Sequence, residues 1–437
     1  MKQKKILMIC YYYPPLEDVG HKRSLAFSKY LKKYGWEPYV ISVRNPDKAY
    51  CRLGHKKPPT NINVYYTYSL LNPYKILGKV NGIIYRIAKY LLGFEIRRNY
   101  LYDIFCIPDI FFGWIPLTLT KAIKLIKTYD IDFIYCSCPP FSSAIIGALL
   151  KIFTKGRLIL DFRDPLSSDV HPWNSPPHLS IRKVIDRKIA NFLFKVCDAF
   201  VITTKKLKKI YEERYPVLKG KAFTIYNGID PEEFPKLQLE NKFDKFTITY
   251  GGNFYMSYGK PEIFFKALYI LKQKNKINLK NFQFLYFGEN KSSIEKIAKK
   301  YNLTDIVYTD FIEFEKLVRI IKKSHLQLIR IASPMIGTKL FEGIFLNIPI
   351  LALVKGEEPA EIIKKYSPSS YVLEEKIEMI ADAILDSIEK YKKGRIKENK
   401  IGDFFLEFSR EKQTFKLINL LDFISQIRHE SKSVFQK

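Results

Sequence analysis

Acidic side chains are scarce: 44 Asp and Glu stand against 73 Lys and Arg, leaving +29 on 437 residues. Such a surface seeks anionic partners, whether nucleic acid, phosphorylated substrates or acidic lipid. Cysteine is sparse too. The six thiols show no paired CxxC spacing, and Cys10 and Cys136 fall in apolar, strand-like runs where a thiol packs as a small hydrophobe. That usage fits a reducing cytoplasm. No run of about 18 apolar residues occurs, so nothing is expected to span a bilayer. The apolar stretch up to Tyr13 is short and ends at Pro14 without a small-residue cleavage site, so it reads as a buried strand and not a signal peptide. Internal repeats and low-complexity segments are also missing.

What remains is ordinary globular material. Hydrophobic residues make up 47% and charged residues 27%, which excludes wholesale disorder, a coiled coil and collagen. The length predicts two or three domains. The basic excess is uneven: residues 1–100 hold 19 basic and five acidic side chains, nearly half of the net charge.

Strand-like runs at 5–10, 37–43, 133–136, 158–160, 199–203 and 223–226 alternate with helical patterns, the rhythm of a parallel sheet. Between Pro231 and Asp244 the pattern turns acidic and irregular, then a second series begins at 246–250, 282–287, 306–308, 326–331, 348–354 and 371–373. The expected organisation is α/β: a Rossmann-like domain at 1–240, a second Rossmann-like domain at 241–404, and a helix after 405. Two doubly wound sheets facing a central cleft suit a phosphate-bearing ligand at their carboxyl edges.

Several turns fall at such edges. Gly20 and Arg23 open a helix after the first strand and suit an anion, or else form a plain strand-to-helix turn. Asp161, Arg163 and Asp164 follow a buried strand; they suit hydroxyl and anion recognition and are the candidate catalytic residues, or else form a self-satisfied ion-pair cluster. Asn227 and Gly228 have turn chemistry that shapes the approach to the interdomain segment. Gly252 and Asn253 end the first strand of the second series, with Lys260 before the next helix as a candidate neutralising charge. Gly337 and Thr338 start a helix whose amides suit phosphate or a donor sugar. Glu342, one turn in, suits the two hydroxyls of a ribose, or merely complements the helix dipole.

In this order the motifs resemble glycosyltransferase family 4 (group 1), with its GT-B fold. They are PPxxxxGxxR from Pro14 to Arg23, the five residues from Tyr34 to Pro38, Pro108-Asp109 with Gly113-Trp114, and the five from Ser137 to Phe141. To these add Asp161 to Pro165, Asn227 to Asp230 with Phe234, and Lys339 to Glu342. The resemblance covers nearly the whole chain. It implies that Glu342 binds the nucleotide ribose, that Gly337 to Leu340 lie along the diphosphate and sugar, that Gly20 faces the diphosphate, and that Phe311 and Ile312 receive the base. It also implies transfer with retention from a UDP- or GDP-sugar, with no cofactor and no metal. The sequence departs from the family pattern at Pro334 (an acidic position), Asn253 (an arginine), Asp18 (a glycine) and Arg163 (a histidine).

Placed on a helical wheel, residues 75–97 put Lys75, Lys79, Arg86 and Lys89 opposite an apolar arc containing Ile76, Val80, Ile83, Ile84, Ile87 and Leu91. This basic amphipathic helix either docks on an anionic membrane surface or packs its apolar arc on the first sheet. The expected protein is therefore a peripheral cytoplasmic glycosyltransferase at the inner face of the cell membrane, with a glycan or lipid-linked acceptor and a role in surface polysaccharide biosynthesis. The alternatives are a catalytically degenerate GT-B protein that only binds a sugar nucleotide, and a basic nucleic-acid-binding protein. The latter lacks any recognised signature, so no nucleic-acid partner is expected.

Overall fold

The computed structural model describes residues 3–16, 19–47, 57–71, 73–92, 100–166, 180–236, 241–254, 261–332 and 334–434. The chain forms two compact units, Met1–Asn227 joined by Arg410–Lys437, and Gly228–Ser409. The division falls at Gly228, ahead of the irregular stretch after Pro231 that suggested 240. The reason is packing. The Ile229 N–H donates to Phe408 O at 2.9 Å, and the Phe234 ring lies 4.6 Å from Phe345, so this segment is anchored to the second unit before its first strand begins.

In the first unit, β1 (Lys4–Ile9), β2 (Trp36–Val43), β3 (Asn63–Thr67), β4 (Phe133–Cys138), β5 (Arg157–Phe162), β6 (Ala199–Ile202) and β7 (Ala222–Thr224) form one sheet. Its order is β3-β2-β1-β4-β5-β6-β7, and every pairing is parallel. β2 is buried along its whole length, as expected for a strand covered on both faces by crossover helices. The second unit holds β8 (Phe246–Gly251), β9 (Phe282–Phe287), β10 (Val307–Asp310), β11 (Leu326–Ala332), β12 (Ile350–Lys355) and β13 (Tyr371–Leu373). They pair in parallel in the order β10-β9-β8-β11-β12-β13.

Each sheet reverses its winding once, between β1 and β4 and between β8 and β11. At such a switch point the loops diverge and leave a crevice at the carboxyl edge of the strands. The turns singled out from sequence leave from these edges: Gly20 after β1, Arg163 after β5, Gly252 after β8 and Gly337 after β11.

The expected single helix after 405 is two helices, Ile401–Phe408 and Arg410–Val434. Ser409 takes an extended backbone and bridges to Ile229, which interrupts the helical ladder. The second of the two packs along helix Val19–Lys33, and Leu417, Leu420, Leu421 and Ile424 join Ile6, Met8, Phe27, Trp36 and Val40 in one core.

Candidate functional site

In the first unit, Arg23 and Asp161 meet each other. Arg23 Nε donates to Asp161 Oδ2 at 2.7 Å and Nη2 to Oδ1 at 3.0 Å. The guanidinium also donates to the carbonyls of Tyr226 (2.6 Å) and Ile225 (3.0 Å). Tyr135 OH adds a further bond to Asp161, and burial together with the Asp161 charge raises that phenol well above its ordinary range, so it stays a donor. Arg23 and Asp161 are both buried. This corrects two expectations: Arg23 is not placed to contact a diphosphate, nor Asp161 a sugar hydroxyl. A charge enclosed at the sheet edge needs a partner, and these two serve one another while tying helix Val19–Lys33 to β5 and to the residues after β7.

Arg163 makes the other contact. Its guanidinium occupies the place a Cβ on Gly20 would need, with Nη2 2.9 Å from that point, so only glycine permits the approach. Nη2 donates to Pro139 O, the backbone N–H of Arg163 donates to Cys138 O at 2.8 Å, and the guanidinium lies 5.9 Å over the Tyr12 ring. The half-buried Arg163 therefore holds its charge beside the first turn of helix Val19–Lys33, and its buried Nε has no hydrogen-bond partner among the described residues. Asp164 is half-buried in the same turn, and its charge acts on Tyr211.

The motif residue Asp109 has a scaffold role. It accepts from Ser142 Oγ (2.6 Å) and N (3.0 Å) and from Phe111 N (2.9 Å), which fixes the start of helix Ser142–Thr154. Burial raises its carboxyl, and these bonds pull the other way.

In the second unit, the turn after β8 and the helix after β11 come together. Gly252 has φ +109°, a backbone that favours glycine, and Lys339 Cε lies 2.7 Å from where a Cβ would sit, so the lysine end approaches this closely only because the Cβ is missing. Lys339 stands in the first turn of helix Thr338–Phe345, with Nζ 4.9 Å over the Tyr250 ring. No hydrogen bond or ion pair to its Nζ is found among the described residues. Burial lowers this ammonium from 10.5 to about 8, with the Glu342 charge acting in the opposite sense. Gly337 is exposed, caps the helix with an extended backbone and supplies no side-chain cap; Leu340 N–H donates to Gly337 O at 3.4 Å, and among the described residues no side chain caps the Thr338 and Lys339 amides. Glu342 is half-buried and Leu340 is buried in the core. Sequence reasoning missed Tyr250, whose ring seats the lysine; its place in the first strand of the second series hid that duty.

Asn253 has a scaffold partner. Its Nδ2 donates to Glu289 Oε2 (3.0 Å) and its Oδ1 accepts from Glu289 N (2.7 Å), so both ends of the amide clamp the turns after β8 and β9. Phe311 is exposed and Ile312 half-buried in the turn after β10, at the same sheet edge. Lys260 lies outside the described residues.

Helix Pro73–Leu92 bears the wheel's basic residues Lys79, Arg86 and Lys89 exposed; the Lys75 side chain lies outside the described residues. Its apolar arc is exposed as well: Ile76, Val80, Ile83, Ile84, Ile87 and Leu91 are 40% to 69% accessible. Leu77 is half-buried and Phe94 lies outside the described residues, so most of the described arc is not packed on the first sheet. Among the described residues no helix is long and apolar enough to cross a membrane.

Residues 22–233 match the family described as Glycosyltransferase Family 4. No curated protein sequence matches the chain. Among solved structures, Anabaena Alr3699/HepE in complex with UDP and glucose is similar at TM-score 0.61 and 12% identity, covering 96% of this chain and 99% of that one. Sucrose-phosphate synthase (tll1590) from Thermosynechococcus elongatus follows at 0.60 and 14%, covering 99% of each. An S. aureus TarM mutant in complex with Fondaparinux, alpha-GlcNAc-glycerol and UDP reaches 0.56 and 14%, covering 95% and 99%. The family match makes residues 22–233 a Glycosyltransferase Family 4 domain, and the two parallel sheets with the similar structures give the chain a GT-B fold.

Proposed function

We propose that the chain transfers a sugar from a UDP- or GDP-sugar, with retention and without a metal, to a glycan or lipid-linked acceptor at the inner face of the cell membrane, in the building of a surface polysaccharide. The observation that carries the donor reading is the Lys339 ammonium, held over Tyr250 against Gly252 at a helix N-terminus without a side-chain cap. As the bond from the sugar's anomeric carbon to the diphosphate breaks, its electron pair stays on the phosphate oxygen, and a fixed cation and aligned amides stabilise that charge. Glu342, one turn further, is the ribose ligand. Phe311 and Ile312 take the base. The sugar bound to UDP in similar proteins supports a uridine nucleotide over a guanosine one.

Within the first unit, Arg163 beside Gly20 is a cation available to an anionic group of a substrate, with Asp164 available to an acceptor hydroxyl. The exposed basic helix Pro73–Leu92 supports a peripheral membrane location. The test is donor turnover: a panel of UDP- and GDP-sugars is incubated with the wild type and with Lys339→Ala and Glu342→Ala, and free nucleotide is measured. Release by the wild type alone supports the reading. Nucleotide binding without turnover on any donor and acceptor would support the degenerate alternative, which the Asn253 amide, spent on Glu289 where the family has an arginine, favours.

A further inference from the structure

A separate cavity of about 300 Å³ lies at the carboxyl edge of β1, β2 and β3, lined by Pro15, Leu16, Val43, Arg44, Pro46 and Tyr66. That volume is at the lower end of small-molecule sites. Its walls are fixed by hydrogen bonds. Tyr66 OH donates to Pro14 O at 2.6 Å, the Arg44 N–H donates to Thr67 O at 2.8 Å, and Asn45 and Ser69 exchange two bonds of 2.7 and 3.0 Å. The Arg44 side chain is different: it is exposed, makes no hydrogen bond or ion pair among the described residues, and rests 5.6 Å over the Tyr68 ring.

Among the described residues Arg44 is the single charged one in the lining, which is otherwise apolar apart from the Tyr66 hydroxyl. A guanidinium presents a planar fork that fits phosphoryl oxygens, and walls of proline, leucine and valine have no use for a fully hydrated ion. The ligand this lining fits is an anion joined directly to an apolar body. The apolar surface continues from Tyr68: Leu70 and Leu71 are exposed, and helix Pro73–Leu92 begins two residues later with Ile76 at 62%. We infer that this cavity receives the phosphoryl group and first apolar units of a prenyl-phosphate-linked acceptor, with Arg44 on the phosphoryl oxygens and the hydrocarbon running along the strip from Tyr68 to Leu71. This rests on the transferase reading, because it is the acceptor of that reaction that the cavity would hold.

The test is calorimetric titration of the full chain with farnesyl phosphate, farnesol and inorganic phosphate. Farnesyl phosphate binds the wild type, and Arg44→Gln weakens it at least tenfold, ~1.4 kcal/mol. Farnesol binds more weakly and does not respond to the substitution, and Arg44→Lys keeps part of the phosphate preference. Arg44 is exposed, so its replacement leaves the fold intact. Unchanged farnesyl phosphate affinity in Arg44→Gln overturns the inference; so does inorganic phosphate binding as tightly as farnesyl phosphate, since the site would then serve a free anion. UDP titrated into the same samples separates the two readings. If UDP binds both proteins and farnesyl phosphate binds neither, the cavity assignment alone fails. If farnesyl phosphate binds through Arg44 and no sugar nucleotide binds, the transferase reading fails.

Discussion

Lys339 offers the sharpest test, because its charge is exchangeable within an accessible pH range. With the ammonium lowered to about 8, roughly 3% remains protonated at pH 9.5, so a ligand that requires the charged form loses up to about 30-fold in affinity between pH 7 and 9.5. Removing the charge outright in Lys339→Gln costs about ten- to a hundredfold, taking ~1.5–3 kcal/mol for a hydrogen bond to a charged group. The sign for the unliganded fold is opposite. A lysine whose folded pKa lies below 10.5 binds its proton less well than the unfolded chain does, so this residue makes stability rise as pH climbs from about 8 to 10.5. The assay is UDP affinity against pH for the wild type, Lys339→Gln and Lys339→Arg. Any titration of the base itself is common to all three and cancels. A wild-type profile parallel to that of Lys339→Arg would refute the assignment, since arginine stays charged throughout the range.

Two further outcomes follow from the first unit. Asp161→Ala strands the buried Arg23 guanidinium and costs about 3–5 kcal/mol, whereas the Arg23→Met/Asp161→Leu double variant recovers most of that loss; urea unfolding followed by circular dichroism reads both, and a single-variant cost below ~1 kcal/mol would show the pair is not enclosed as described. Ile83→Asp with Ile87→Asp in helix Pro73–Leu92 abolishes co-sedimentation with anionic liposomes, and Lys79→Glu with Arg86→Glu weakens it in a salt-dependent way; retention of both variants on liposomes would remove the docking role.

Much of the fold was legible in the chain because buried parallel strands are written as continuous apolar runs, and all twelve expected strands occur. β3 escaped notice: it is a five-residue edge strand starting at Asn63, mostly half-buried, with no apolar run to mark it. Gly252, Gly337 and Lys339 were legible as turn and helix-start residues, and the structure adds that the lysine closes onto the glycine. Arg23 and Asp161 were misread because their partnership joins residues 138 apart, which no local spacing reveals. The break at Ser409 was invisible for the same reason, since it depends on the distant backbone of Ile229. The wheel for helix Pro73–Leu92 correctly separated basic from apolar faces, but amphipathicity alone does not say whether an apolar face is covered.

The placement of Leu417 and Leu421 among the innermost residues of the first unit has a consequence for biosynthesis. The second unit is a single uninterrupted stretch and has all its residues while the last helix is still inside the ribosome. The first unit, though most of it emerges earlier, must wait for helix Arg410–Val434 to seal its interior, so it is the later of the two to become resistant to proteases.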